Sequence, residues 1–217
     1  MTSPAERLTH VRWIAGGTGA GKSTVARLLA RRHGLAVYDG DRAEHSWLPR
    51  TTPQRHPHLS AARNRPPGAN WRDRTPEEVF ATMASLHGET VGFLVEDLLA
   101  LAADRITLVD YFGILPRHLA PLLIDPAHAL FLFPTPDFRR RVLTARYADP
   151  DRARATWGDL DPAAVLAKRL SRDALWDQEV RIQADRLGLT TLVVDGSVPA
   201  PALADAVERH FGLIRSN

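Results

Sequence analysis

Eight residues early in the chain, Gly16-Gly17-Thr18-Gly19-Ala20-Gly21-Lys22-Ser23, match the pattern G-x-x-x-x-G-K-[ST] at every fixed position. Glycines there let successive backbone N–H groups turn inward without Cβ clashes, which makes a concave cradle for phosphate oxygens. Lys22 is expected to reach the β- and γ-phosphates of a nucleoside triphosphate. The Ser23 hydroxyl is expected to ligate Mg²⁺, and Thr24 to help hold the phosphates. Lys22 and Lys168 are the only lysines among 28 basic residues. One of the two thus falls inside this motif, where a guanidinium does not replace a compact ammonium. Three carboxylates add to the chemistry. Asp39 and Asp41 flank Gly40, and Asp110 closes an apolar run. On an extended chain Asp39 and Asp41 share one side. One carboxylate could take the proton of an attacking hydroxyl while another orders Mg²⁺-bound waters. Asp-Gly-Asp is also an ordinary turn sequence, and Asp110 also reads as no more than a polar strand end.

The elements that must position these groups alternate. Val11–Ala15 reads as a strand running into the glycines, and Ser23–Arg32 as a helix with Val25, Leu28 and Leu29 on one face, stopped by Gly34. Leu35–Tyr38, Arg105–Val109, Ala129–Phe133 and Leu189–Val194 read as four further strands. Thr75-Pro76-Glu77-Glu78 is a helix start, and the pattern after it runs to about Leu101, with possible breaks at Gly88 and Gly92. Helical patterns also cover Asp137–Arg146, Pro162–Leu187 and Pro199–Phe211. Strands separated by helices predict an α/β fold, a five-stranded parallel sheet with helices on both faces. In such a sheet ligands bind beyond the carboxyl ends of the strands, where the three aspartates fall.

Arg42–Arg74 breaks the alternation, with five prolines and six arginines from Arg50 to Arg74. It reads either as a solvated loop or as a mobile substrate cover walled by Trp47 and Trp71. Glu89, Glu96 and Asp97 precede the third strand. They form a solvated helix face, or, if Glu96 or Asp97 faces the cleft, a site for an amine-bearing acceptor. Arginines are frequent from Arg139 to Arg172, and the charge of Arg139–Arg141 reads as solvated.

The glycine-rich motif, the Asp-Gly-Asp and the later arginine-rich helices together resemble the small-molecule and nucleoside monophosphate kinases of the P-loop superfamily, such as shikimate kinase, gluconate kinase, chloramphenicol phosphotransferase and adenylate kinase. The likeness covers most of the chain in element order and is tight in sequence only at the P-loop. It implies a three-layer P-loop NTPase sandwich in one domain over 1–217, with an acceptor-binding insertion and helix over 42–101 and an arginine-rich lid over 137–172. It implies Asp41 as catalytic base and acceptor ligand, with Asp39 nearer the metal. The segment Asp110-Tyr111-Phe112-Gly113-Ile114-Leu115-Pro116-Arg117 looks like a stretched form of the adenylate-kinase Asp-Gly-Phe-Pro-Arg. That implies Asp110 at the magnesium waters and Arg117 on the substrate. Of the lid arginines, Arg169 and Arg172 are the candidates to close on the transferring phosphoryl group. Asp195-Gly196, after the last strand, would pass by the base through its backbone, which does not separate ATP from GTP.

The expected activity is phosphoryl transfer from ATP or GTP with Mg²⁺ to a hydroxyl of a small molecule, an antibiotic or nucleoside-type natural product among the candidates. A nucleoside or nucleotide kinase of primary metabolism is a second reading. A nucleotide-dependent switch or nucleic-acid-binding ATPase, using the basic segment before Arg74, is a third. A net charge of +3 does not by itself argue for nucleic acid. The absence of cysteine removes disulfides and thiolate chemistry. No apolar run reaches membrane-spanning length and Met1–His10 lacks a signal-peptide core, so a cytoplasmic location is expected.

Overall fold

The computed structural model describes residues 2–213; Met1 and 214–217, the ends of the expected 1–217 unit, lie outside it. Five strands, β1 (Val11–Gly16), β2 (Ala36–Asp39), β3 (Thr107–Asp110), β4 (Ala129–Pro134) and β5 (Thr190–Val194), form one sheet in the order β2-β3-β1-β4-β5. Every pairing is parallel. Among the described residues, seven helices have eight residues or more: α1 (Lys22–His33), α2 (Gly40–Trp47), α3 (Val91–Ala100), α4 (Pro136–Arg146), α5 (Pro150–Trp157), α6 (Pro162–Arg186) and α7 (Ala200–His210). The expected α/β architecture, a five-stranded parallel sheet flanked by helices, is what the chain forms. No described helix is long and apolar enough to cross a membrane.

The period of two along the strands divides the core. Trp13, Val109 and Phe131 face one side and pack with Phe93, Leu94 and Leu98 of α3 and Trp176 and Val180 of α6. Ile14, Leu108 and Leu130 face the other and pack with Val25 and Leu29 of α1 and Leu203 and Val207 of α7. Burying apolar stripes from both layers against one sheet is the main force that fixes its faces.

Three boundaries differ from the sequence expectation. β3 begins at Thr107, and Asp110 is its last residue, in register with both Asp39 and Ile14. The long helix expected after Thr75 is three pieces: Pro76–Ala81, a 3-10 turn over Ala84–His87 that stops at Gly88 in the left-handed region, and α3. Gly92, the other suspected break, is inside α3. α5 was not anticipated, although Asp149 caps it by accepting from the backbone N–H groups of Asp151 and Arg152.

Arg42–Arg74 is more ordered than a loop, since most of α2, a 3-10 turn over Leu48–Arg50 and a short helix over Pro57–Ala62 fall in it. Trp47 is not a cleft wall. It is fully buried between Phe93 and Tyr111, and its indole N–H donates to Asp97 at 2.8 Å. Trp47→Ala should therefore destabilise the fold by about 3–5 kcal/mol, a core-cavity effect. Chemical denaturation checks this, and an unchanged midpoint would return Trp47 to the surface.

Candidate active site

The glycine-rich loop leaves β1 and enters α1 at the carboxyl end of the sheet. Gly16 has φ +106°, and a Cβ there would lie 2.3 Å from the Leu132 carbonyl oxygen, so no other residue fits. The Gly17 N–H donates to that same oxygen at 2.8 Å, which ties the loop to β4. α1 begins at Lys22 with no side-chain cap, which leaves its N-terminal N–H groups directed at the loop's concavity.

Lys22 is buried, only 7% exposed. Its ammonium folds back to donate to the carbonyls of Gly16 (3.3 Å) and Gly17 (2.9 Å). Burial lowers its pKa, and the carboxylates of Asp110, Asp41, Asp177 and Asp173 oppose that. Asp110 is itself buried, and burial pushes its carboxyl up against the opposing pull of the Ser23 hydroxyl and the Lys22 ammonium. Asp110 and Ser23 are thus brought together beside Lys22.

Beyond the loop opens a cavity of about 1030 Å³, lined by Thr18–Thr24, Asp41, Glu44, Phe112 and five arginines, Arg27, Arg146, Arg152, Arg169 and Arg172. Asp41 and Glu44 project from α2. Asp41 accepts the Phe112 backbone N–H at 3.2 Å. Arg169 and Arg172 lie one turn apart on α6 with the fully buried Asp173, whose carboxylate is 3.8 Å from Arg169 and 2.7 Å from Arg172. The Arg172 guanidinium also sits over Phe112 and Trp71, 5.7 and 5.5 Å from their ring centroids.

Several expected site residues fall elsewhere. Asp39 caps α2 by accepting from the Arg42 N–H at 3.0 Å and does not line the cavity. Glu96 lies on the solvent side of α3 paired with Arg50. Asp97 accepts from Tyr38 and Trp47, and Glu89 accepts from the backbone N–H groups of His58 and Leu59. Arg117 donates to the Leu86 carbonyl and pairs with Glu179 at 3.7 Å, outside the cavity lining. Trp71 is buried with Trp157 and Val165 and backs Arg172 rather than walling an acceptor.

The segment around Trp71 is joined to the arginine-rich region. Lys168 donates to the Trp71 carbonyl at 3.0 Å, the Gly68 N–H to Thr156 at 3.2 Å, and Arg72 pairs with Asp159 at 2.8 Å. A Cβ on Gly68 would meet the Trp157 carbonyl oxygen at 2.2 Å, so the contact itself requires glycine. The expected separate acceptor cover and lid are one packed roof.

Arg139, expected to be solvated, is 4% exposed. Its Nε donates to the Thr18 carbonyl at 3.1 Å, and its terminal nitrogen pairs with Asp177 of α6. It clamps the loop from above β4. A triplet of arginines on one helix gives no sequence signal that one of them turns inward. Burial raises Asp177 to about 6 from 3.8, with the Arg139 charge opposing. The folded protein therefore binds this proton more tightly than the unfolded chain does, and the resulting stability is lost as pH rises through that interval. Wild-type stability relative to Asp177→Asn should fall between pH 4 and about 6.5. Paired thermal melts across that range check the sign; a rising difference would mean that the ion pair outweighs burial.

No protein-family model matches the chain, and no curated protein matches it. Among solved structures it is similar to an uncharacterized protein from Eubacterium ventriosum ATCC 27560, at 13% identity over 93% of this chain and 97% of that one, with a TM-score of 0.47. It is also similar to TT1252 from Thermus thermophilus, at 21% identity over 95% and 98%, with a TM-score of 0.49. At that level of similarity the chemistry has to be read from this chain's own residues.

Proposed function

We propose that the chain is a nucleoside-triphosphate-dependent kinase of the P-loop small-molecule group, transferring a γ-phosphoryl group to a hydroxyl of a small metabolite, antibiotic or nucleoside-type natural product in the cytoplasm. The observation that carries this is the content of a single cavity. A glycine-rich phosphate cradle with Lys22 forms one end, Asp41 stands at the side, and Arg146, Arg152, Arg169 and Arg172 gather around the space between. A second carboxylate, distinct from Asp110 and lining that space, is what a transferase needs to take the proton of an acceptor hydroxyl.

In this reading the loop N–H groups and the α1 N-terminus hold the α- and β-phosphates, and Lys22 leaves its own carbonyls for the β- and γ-oxygens. Asp41 accepts the proton of the acceptor hydroxyl as its oxygen bonds to the γ-phosphorus and the bond to the β-bridging oxygen breaks, releasing the nucleoside diphosphate. Arg169 and Arg172 neutralise charge on the transferring oxygens. Ser23 and Asp110 fit a magnesium ion. They form a hydroxyl–carboxylate pair at the phosphate end, and a bound cation would offset the burial that pushes the carboxyl up. When bound, the ion would neutralise β- and γ-phosphate charge.

Labelled ATP and GTP offered with a panel of hydroxyl acceptors tests the assignment. Label should pass to an acceptor, with little phosphate released in its absence. Steady release without acceptor, or release stimulated by RNA, would identify a hydrolase or switch instead. Arg172→Ala should lower kcat by about 10²–10³ while changing the affinities of both substrates far less, because its charge partner is complete only in the transition state. Initial-rate kinetics against a binding titration separate the two effects; equal losses in both would make Arg172 a ground-state binder.

A further inference from the structure

The acceptor end of the cavity differs in charge from the phosphate end. Arginines surround the latter, whereas α2 presents Asp41 and Glu44. These two are three residues apart on one helical face, with Cβ atoms roughly 5–6 Å apart. Glu44 is half-buried, and the Tyr111 hydroxyl donates to its Oε1 at 2.6 Å. Tyr111 is held in place: it is buried, the backbones of Gly40 and Gly113 approach it so closely that neither position has room for a Cβ, and Trp47 packs edge-on against its ring. Oε2 has no hydrogen-bond partner among the described residues. The charges felt by Glu44 are Asp41, which raises its pKa, and His45, which lowers it; burial is the largest influence and raises it. Among the described residues no lysine or arginine pairs with it. This carboxylate is fixed in the cavity wall by one oxygen, and its other oxygen is open to the cavity with no protein cation paired to it among the described residues.

We propose that Glu44 is the specificity-determining residue of the acceptor site, and that it selects an acceptor carrying a protonated amine a few bonds from the hydroxyl that is phosphorylated. This rests on the kinase reading. The amine completes the charge pair at Oε2 while the hydroxyl lies one helical turn away at Asp41. Phe112, stacked on Trp176 with centroids 4.8 Å apart, offers an apolar surface for the carbon skeleton. The same acidic wall repels phosphorylated or carboxylated acceptors, which would be drawn to the arginines and compete with the nucleotide.

Matched pairs test this with the full chain: amino sugars and aminocyclitols beside their neutral hydroxyl and N-acetylated counterparts, each with labelled MgATP or MgGTP. Transfer should favour the free amines. Glu44→Gln should raise the KM for the best amine about 10- to 100-fold, the loss of one charge-assisted bond. Acetylating that amine should cost the wild type a similar factor and cost the variant almost nothing further, since either change removes the same interaction. Equal use of amines and neutral partners, a Glu44→Gln variant still sensitive to acetylation, or a nucleotide-binding protein that takes no amine in the panel would each overturn the proposal. A preference for neutral acceptors does so while leaving the kinase reading intact. If the protein fails to bind labelled nucleotide at all, the kinase reading falls and this one with it.

Discussion

Lys22→Ala should remove phosphoryl transfer to below detection in a protein that still folds. The ammonium is the only side-chain cation on the loop itself, and it is already within hydrogen-bonding distance of the Gly16 and Gly17 carbonyls that flank the loop's concavity. Two guanidiniums nearby are held by other partners, Arg139 by Thr18 and Asp177 and Arg172 by Asp173, and the other arginines of the cavity are not mounted on the loop. Electrostatic stabilisation of a transferring phosphoryl group is usually the largest catalytic contribution, and in the proposed kinase its centre would be this residue. The fold should tolerate the change, since Lys22 packs at the edge of the cavity and the helix keeps an excellent helix former in alanine. Single-turnover transfer and a thermal melt decide the matter. Turnover within tenfold of wild type would place the nucleotide elsewhere.

Asp41→Asn carries the second large effect, a fall in kcat of about 10²–10⁴. Asparagine can still accept the Phe112 N–H through its carbonyl oxygen, so the local geometry is kept and only basicity is removed. Nucleotide affinity should hold. The pH–rate profile of the variant should lose the limb that reports the base. If kcat falls less than tenfold, Asp41 is only a positioning group and the base lies elsewhere.

The sheet and its order of elements were legible because they rest on short-range signals: apolar runs of strand length, glycine and proline punctuation, and one eight-residue motif. The place of the glycine-rich loop between β1 and α1 was legible for the same reason. The rest of the cavity was not. Trp47 and Trp71 looked available because they stand in a proline-rich, polar stretch, yet long-range packing against Phe93 and Trp157 takes both into the interior. Asp39 and Asp41 were correctly placed at a strand end, but α2 starts at once and separates them, one as its cap and the other on its cavity face. Glu44 had no signal in isolation. Its three-residue spacing from Asp41 on a helix would have found it, had the segment been read as helical. Arg139 shows the limit of composition: in a chain this rich in arginine, which guanidinium turns inward depends on a partner 38 residues away, Asp177.

α6 joins the two halves of the molecule. Its first half carries Arg169 and Arg172, and its second half, with Trp176, Val180 and Ala184, is sealed under the sheet. At 25 residues it spans about 37 Å. After Pro162 it contains no proline or glycine at which a helix bends readily. The roof arginines are therefore mounted on a stiff beam whose far end is set in the core. Their placement around the cavity is inherited from packing rather than acquired when a ligand arrives. Loosening that footing, as by trimming Val180, would tilt the beam and be felt as slower turnover at a site it never touches.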